Sequence, residues 1–225
     1  MGLAGKGGSG RGMGKERRQK GKDMELMVLK CDWVGCKSSR TLAVPAEWTL
    51  ADLHAALQAA FGWEFCHLYE FENEDGTHWE EESPFEDFVD LDEERDSRKP
   101  GSWTIGEALP TEMSRLVYTY DFGDGNEVDI VRRKDIEGEG AACLAATGLM
   151  AVEDSGGLGF SPGIAAILKK GPKHRDYAVA ADWLGLETED EAKRWLEGLK
   201  ANAGIITAKL ARIKPVRRAA KCRRK

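Results

Sequence analysis

The stretch YTYDFGDGNEVDIVRRK, Tyr118 to Lys134, gathers carboxylates and glycines that could hold magnesium, hold calcium, or simply turn the chain. Its Asp-Phe-Gly triplet is a magnesium-binding element in protein kinases. Kinase chemistry also needs a glycine-rich phosphate loop, a strand lysine and a catalytic-loop aspartate, and none of these accompanies it. A calcium loop wants oxygen ligands at alternating positions over about twelve residues, closed by a glutamate. Asp121, Asp124, Asn126 and Asp129 do not keep that spacing. What remains is a hairpin, in which Asp124-Gly125-Asn126 supplies the positive φ of a tight turn between two alternating strands.

Other reactive groups are weighed in the same way. Cys31 and Cys36, with Cys66 and His67, contain the donors of a zinc site. Their spacing is wide, and no second C-x-x-C or H-x-x-x-H accompanies them. Ordinary thiols are the better reading, and no metal is expected. His67, read as a strand residue between Phe65 and Leu68, and His174, just before a helix, have the pattern of structural histidines. The segment EDSGGLGF, Glu153 to Phe160, lacks both common phosphate-loop spacings, and its carboxylate pair would repel a phosphate. It reads as a cap and chain reversal. If the fold forms a pocket, this loop and the 121–126 turn are its expected lining. The candidate residues are then Trp63, His67, Asp121, Asp124, Asn126, Glu153, Asp154 and His174. No side chain qualifies as catalytic, and no cofactor motif is present.

These groups must be carried by regular elements. MELMVLKC and SRTLAVPA are short β-like runs. TLADLHAALQAAFG is an amphipathic helix over 49–61, with Thr49 as N-cap and Gly62 as its stop. CHLYEF predicts a strand, with Thr77–Trp79 its partner across Asp75-Gly76; TIGEALP predicts a short helix ended by Pro110. SRLVYTYDF and NEVDIVRRK predict paired strands. From 140 onward the pattern reads as helical, clearest where Thr188 and Glu191 form a capping box ahead of Ala192, Trp195, Leu196 and Leu199. The expected fold class is α+β: a mostly antiparallel sheet with one packed helix, followed by a helical C-terminal extension. Leu53, Leu57, Phe61, Trp63, Leu68, Phe71, Val117, Tyr118, Ile130, Trp183 and Leu184 are expected to share one core.

Charge divides the chain further. Residues 1–23 hold seven Lys or Arg against Glu16 and Asp23, and 201–225 hold nine with no acid. Of 33 basic and 39 acidic side chains this leaves 17 and 37 for the middle, an excess of 20 acids. The expected organisation is a disordered basic leader over 1–23, a domain over 24–200 and a basic tail over 201–225. Lys209, Arg212, Lys214, Arg217, Arg218, Lys221, Arg223, Arg224 and Lys225 make the tail a phosphate-binding segment without a base-stacking aromatic. The stretch from Glu70 to Asp96 is strongly acidic, a solvated loop or a face for a basic protein partner. No apolar run approaches the roughly 18–20 residues that span a bilayer. No secretory signal is visible, and five scattered cysteines make no disulfide framework, so a cytoplasmic setting with reduced thiols is expected.

The ordered series TLADLHAALQAAFGWEFCHLYEF, LVYTYDFGDGNEVDIV, CLAATGLMAVEDSGGLGF and KHRDYAVAADWLG resembles the plasmid pRiA4b ORF-3-like family over about residues 25–200. Relative to that family's pattern, Asn126 replaces a usual Trp, Val128 a usual His, and a second Cys near Met150 is missing. The resemblance implies an α+β domain of bacteria and archaea, often carried on plasmids or near mobile elements. Some members bear resolvase labels or are joined to DNA-binding segments. Recombinase chemistry needs a nucleophile in an arginine-rich site, yet Arg132 and Arg133 are the only paired arginines of the central region. DNA cleavage is therefore not expected. The favoured function is a non-enzymatic binding or regulatory module that touches nucleic acid weakly and non-specifically through its tails. The alternatives are a protein-interaction module using the acidic 70–96 face, and an enzyme with a site near Asp121, Asp124, Glu153 and His67.

Overall fold

The computed structural model describes residues 24–80, 97–155 and 161–215. The basic leader, most of the acidic stretch (81–96) and the tail from 216 onward lie outside the described residues. Among the described residues eight strands form one sheet: β1 (Met24–Trp33), β2 (Ser39–Pro45), β3 (Tyr69–Asn73), β4 (His78–Glu80), β5 (Ser97–Arg98), β6 (Arg115–Tyr120), β7 (Asn126–Gly138) and β8 (Ala142–Thr147). Their order is β5-β4-β3-β6-β7-β1-β2-β8. Every described pairing is antiparallel except β4 with β5.

Helix α1 (Leu50–Phe61) covers the sheet. Thr49 accepts from Asp52 N–H at 3.1 Å while Asp52 Oδ2 accepts from Thr49 N–H at 2.8 Å, a closed capping box. Gly62, at φ 93°, ends the helix in the left-handed region and donates to Gln58 O. Leu50, Leu53, Leu57 and Phe61 are fully buried; each such side chain contributes about 1.5–3 kcal/mol through removal from water. They meet Tyr118, Ile130, Phe71 and Trp63 in the main core, as the periodicity implies.

Four expected core residues lie elsewhere. Leu68 and Val117 are 43% and 37% exposed. Val117 has the wrong strand phase, since Leu116, Tyr118 and Tyr120 are the β6 residues turned inward. Trp183 is 51% exposed and Leu184 packs on a second, separate cluster of Ile164, Leu168, Ala180, Ala181 and Ala192. That cluster joins α3 (Ser161–Lys170), α4 (Tyr177–Trp183) and α5 (Glu189–Gly198). One core thus becomes two, because the C-terminal helices bury their apolar stripes chiefly on one another. The short helix α2 (Ile105–Ala108) precedes Pro110 as expected.

The helical pattern does not begin at 140. Ala142–Thr147 pairs with β2, and its alanine-rich sequence yields to ladder bonds and to α6 (Ala203–Leu210), which lies over it. Cys143 N–H donates to Thr207 Oγ1 at 3.0 Å, joining strand to helix. Helix α6 also corrects the boundary expected at residue 201. Ile206 and Leu210 are buried in the main core, so the folded body runs past 200 into the segment read as tail. Among the described residues no helix is long and apolar enough to cross a membrane.

Candidate functional site

Three connections end at one corner of the sheet: the segment after α1, the β6–β7 loop, and the segment after β8. Tyr120 pairs with Asn126, so the hairpin loop is 121–125. Gly125 takes φ 63° and its N–H donates to Asp121 O at 2.7 Å. Asn126 opens β7 and is buried. Asp121 itself takes φ 57°, and its Oδ1 accepts from Gly123 and Asp124 N–H at 3.1 and 3.3 Å. That locks the carboxylate and leaves Oδ2 turned to His67.

His67 is the centre of the corner. It precedes β3 instead of lying within a strand, because Phe65 takes φ 60° and Cys66 N–H is drawn to Tyr120 OH at 3.1 Å. His67 Nε2 stands 2.9 Å from Asp154 Oδ1, 3.6 Å from Glu153 Oε1 and 3.7 Å from Asp121 Oδ2. Glu153 is fixed at both oxygens: Tyr120 OH donates to Oε1 at 2.9 Å and Glu64 N–H to Oε2 at 3.0 Å. The Glu153 and Asp121 side chains are 11% and 12% exposed, while Asp154 at 70% marks the open side. Of the four described non-glycine residues at positive φ, three (Phe65, Asp121 and Asp154) surround this cradle. Local backbone strain of that kind concentrates at functional sites.

An aromatic shelf supports the cradle. The Trp63 and Tyr120 rings lie 5.3 Å apart, and His54 stacks on Tyr69 at 3.6 Å. Tyr118 OH meets His54 Nδ1 at 2.8 Å and accepts from Gln58 Nε2 at 2.9 Å. Gln58 Oε1 in turn accepts from Phe65 N–H at 2.8 Å, tying helix α1 to the turn that presents His67. Burial pushes the Tyr118 hydroxyl well up, and burial together with the Cys66 and Glu153 contacts pushes Tyr120 up as well. Both stay protonated donors. Burial lowers His54 to about 4, so its ring is neutral. Desolvation beside Tyr120, with the negative charge of Glu153 and Asp154, raises the Cys66 thiol despite the opposing Tyr120 hydrogen bond.

The residues around His67 contain two groups of donors of the kind that hold cations. Cys66, His67 and Glu153 form one group of ligand atoms within 4.8 Å of one another, and His67, Asp121 and Asp154 form another. Metal–ligand bonds of about 2.0–2.2 Å place neighbouring ligands roughly 3–3.5 Å apart, close to the separations found around His67 Nε2. The cysteine set considered from sequence is not assembled. Cys31 is fully buried with its thiol pushed far up, and burial raises Cys36 to about 11, so neither offers a thiolate.

Of the pocket residues expected from sequence, His67, Asp121, Glu153 and Asp154 come together. Trp63 lies behind them in the shelf, and Asp124 is tied in through its N–H. Asn126 heads the adjoining strand, with its Oδ1 lacking a hydrogen-bond partner among the described residues. His174 does not join them. It sits between α3 and α4, with Lys170 Nζ at 3.5 Å and Asp176 Oδ2 at 3.9 Å, because it belongs to the second cluster's loops. Cys66, weighed from sequence only as a zinc donor alongside Cys31 and Cys36, does lie beside His67; Tyr120, Gln58 and His54 gave no sequence signal beyond the Y-x-Y alternation before Asp121. Of the basic tail residues, Lys209, Arg212 and Lys214 are exposed at or just after α6. Arg217, Arg218, Lys221, Arg223, Arg224 and Lys225 lie outside the described residues.

Comparison with known proteins gives concordant matches. The family described as plasmid pRiA4b ORF-3-like protein matches residues 29–194. The uncharacterized protein y4hQ of Sinorhizobium fredii (strain NBRC 101917 / NGR234) is 34% identical over 179 residues, covering 77% of this chain and 87% of that relative. The crystal structure of MM3350, a protein of unknown function from Methanosarcina mazei Go1, superposes with a TM-score of 0.58 at 27% identity. It covers 72% of this chain and 90% of its own.

Proposed function

The chain belongs to the plasmid pRiA4b ORF-3-like family, and from that premise we propose that it is a binding module whose site is a divalent-cation cradle centred on His67. The observation that carries this reading is the convergence of Asp121, Glu153 and Asp154 on one imidazole nitrogen at 3.7, 3.6 and 2.9 Å. Two of those carboxylates are largely withdrawn from water. Asp121 and Asp154 offer oxygens within 4.8 Å of each other and of His67, and a cation bound there would offset the repulsion between those two carboxylates. Mixed nitrogen and oxygen donors suit a borderline or hard divalent ion. Binding is favoured over catalysis because the neighbouring hydroxyl and thiol are both shifted away from ionisation, the reverse of an activated nucleophile.

The test is calorimetry on chelator-stripped full-length protein with Zn2+ and with Mn2+. One saturable site is expected for at least one ion, with the melting temperature rising in its presence. The double variant D121N/E153Q should lose that site. No heat and no melting shift at millimolar ion, or unchanged binding by the variant, overturns the proposal.

A second reading keeps non-specific nucleic-acid contact through the C-terminal charge. It is supported by Arg212 and Lys214, exposed directly after the anchored α6. Truncation after Pro215, which spares α6, combined with R212A/K214A should weaken duplex DNA binding in about 50 mM salt and flatten its salt dependence. Equal binding by the truncated chain would remove this reading.

A further inference from the structure

On another part of the surface, a cleft of about 460 Å³ lies between the β1–β2 turn, the segment after β8, and helix α3. Lys37, Lys169 and Lys200 line it, each from a different segment, above apolar surface from Trp33, Leu149 and Met150. None of its described lining residues is acidic, although acids outnumber bases 37 to 17 over residues 24–200. The one described acid paired with a lining lysine is Glu197, 2.6 Å from Lys200 Nζ, and both side chains are exposed.

The walls of this cleft are built firmly. Ser38 Oγ donates to Leu149 O at 3.1 Å and accepts from Leu149 N–H at 3.0 Å. Gly148, at φ 78°, lies so close to the β1–β2 turn that a Cβ there would meet Lys37 O at 2.3 Å. Leu149 bridges to Lys200, and Ala201 N–H donates to Gly148 O at 3.1 Å, which fixes where the Lys200 stem begins. Behind the wall Arg40 is fully buried, its guanidinium donating to Ala60 O, Thr147 O and Leu149 O at 2.7, 2.6 and 2.9 Å. Among the described residues no carboxylate forms an ion pair with it. The guanidinium also meets Met150 Sδ at 3.6 Å and lies over the Phe61 ring at 4.7 Å, so none of these partners carries a formal negative charge and its positive field reaches the cleft wall.

We propose that this cleft binds a small molecule carrying a phosphate or carboxylate group, the oxyanion held by the three lysines and an apolar portion set against Leu149 and Met150. The size matches small-molecule sites, which span about 300–1,000 Å³. Lysine ammonium groups on flexible stems suit a point-like oxyanion, and the rigid backbone beneath limits how far they spread. The site is separate in composition from the His67 cradle, so the two proposals stand or fall independently.

The test is calorimetry on the full-length protein without added metal, using pyrophosphate and citrate as separate probes for the two oxyanion sources. Saturable binding of at least one is expected, weakened about tenfold or more in K37A/K169A/K200A. All three lysines are exposed, so the variant should keep the wild-type melting temperature. Lys169→Glu alone should weaken binding more than Lys169→Ala. The D121N/E153Q variant should bind the anion as the wild type does. Absence of saturable binding by both probes, or wild-type affinity in the triple variant, overturns the proposal; the latter would assign the binding to the basic tail, which that variant retains.

Discussion

His54 offers a sharp test of the packing beneath the cradle. Its ring stacks on Tyr69 at 3.6 Å, its Nδ1 meets Tyr118 OH at 2.8 Å, and Phe65 and Tyr120 face it edge-on or tilted. Burial lowers its pKa from the usual 6.5 to about 4. Below pH 6.5 the unfolded chain therefore takes up a proton on His54 that the folded chain refuses until about pH 4. The unfolded state binds more protons across that window, so stability is intact above 6.5 and is lost as pH falls toward 4. Between pH 7.5 and 4.5 the linkage integral comes to about 2.5 kcal/mol, or about 2 kcal/mol once the part of the ring that water still reaches is discounted.

His54→Gln isolates this contribution. Glutamine keeps a polar end for Tyr118 but cannot titrate, and it loses the stack on Tyr69, costing about 1 kcal/mol at pH 7.5. Urea unfolding of wild type and variant at both pH values gives the answer as a difference of differences, which cancels the many carboxylates that titrate in the same range. The wild type should lose about 2 kcal/mol more than the variant on acidification. Equal losses would show that the folded state takes up the proton on His54 as readily as the unfolded chain does, and that the stacked, hydrogen-bonded ring is not held as described.

Tyr120→Phe should cost about 1–2 kcal/mol in urea unfolding, because Cys66 N–H and Glu153 Oε1 both lose the hydroxyl they share. It should also weaken any cation at His67 about tenfold by calorimetry, the usual effect of losing a group that orients a ligand. Gly148→Ala should lose more than about 2 kcal/mol, since it adds a methyl at φ 78° where Lys37 O lies 2.3 Å away. Ile206→Ala should cost about 3 kcal/mol by thermal or urea unfolding, whereas truncation after Pro215 should leave the melting temperature unchanged.

Where local chemistry and tertiary structure agree, the fold was legible in advance. Helix α1 has its cap, stripe and stop in contiguous residues, and the β6–β7 hairpin has alternation on either side of a glycine turn. The misreadings share one cause. Alanine-rich β8 has no strand signal of its own and becomes a strand because β2 offers it an edge and α6 covers it. Likewise Ile206 and Leu210 sit among basic residues, and local charge spoke louder than two apolar side chains whose partners are far off in sequence. Trp183 and Leu184 carry a sound helical pattern that says nothing of which core they join.

The cradle was partly legible for the converse reason. Asp121, Glu153 and Asp154 lie beside glycines in loops, where a carboxylate has few structural duties, and His67 lies next to a turn. Their convergence required knowing that the segments after α1, β6 and β8 end at the same corner, which only the strand order supplies. Tyr120, the hydroxyl that organises two of those segments, was hidden by its own strand phase: an inward tyrosine reads as core until its partner appears. The lysine cleft was invisible for the same reason in sharper form. Lys37, Lys169 and Lys200 are far apart in a chain rich in charge, and each alone is an ordinary exposed lysine. What sets them apart is the fully buried Arg40 behind them. Its carbonyl partners hold Thr147 and Leu149 beside β2, while Leu149 also bonds Ser38 and bridges to Lys200, which sets the Lys37 and Lys200 stems at one opening. If Arg40→Met preserves the fold but abolishes anion binding, the buried charge acts through its field; if it unfolds the chain, its role is to hold that wall together.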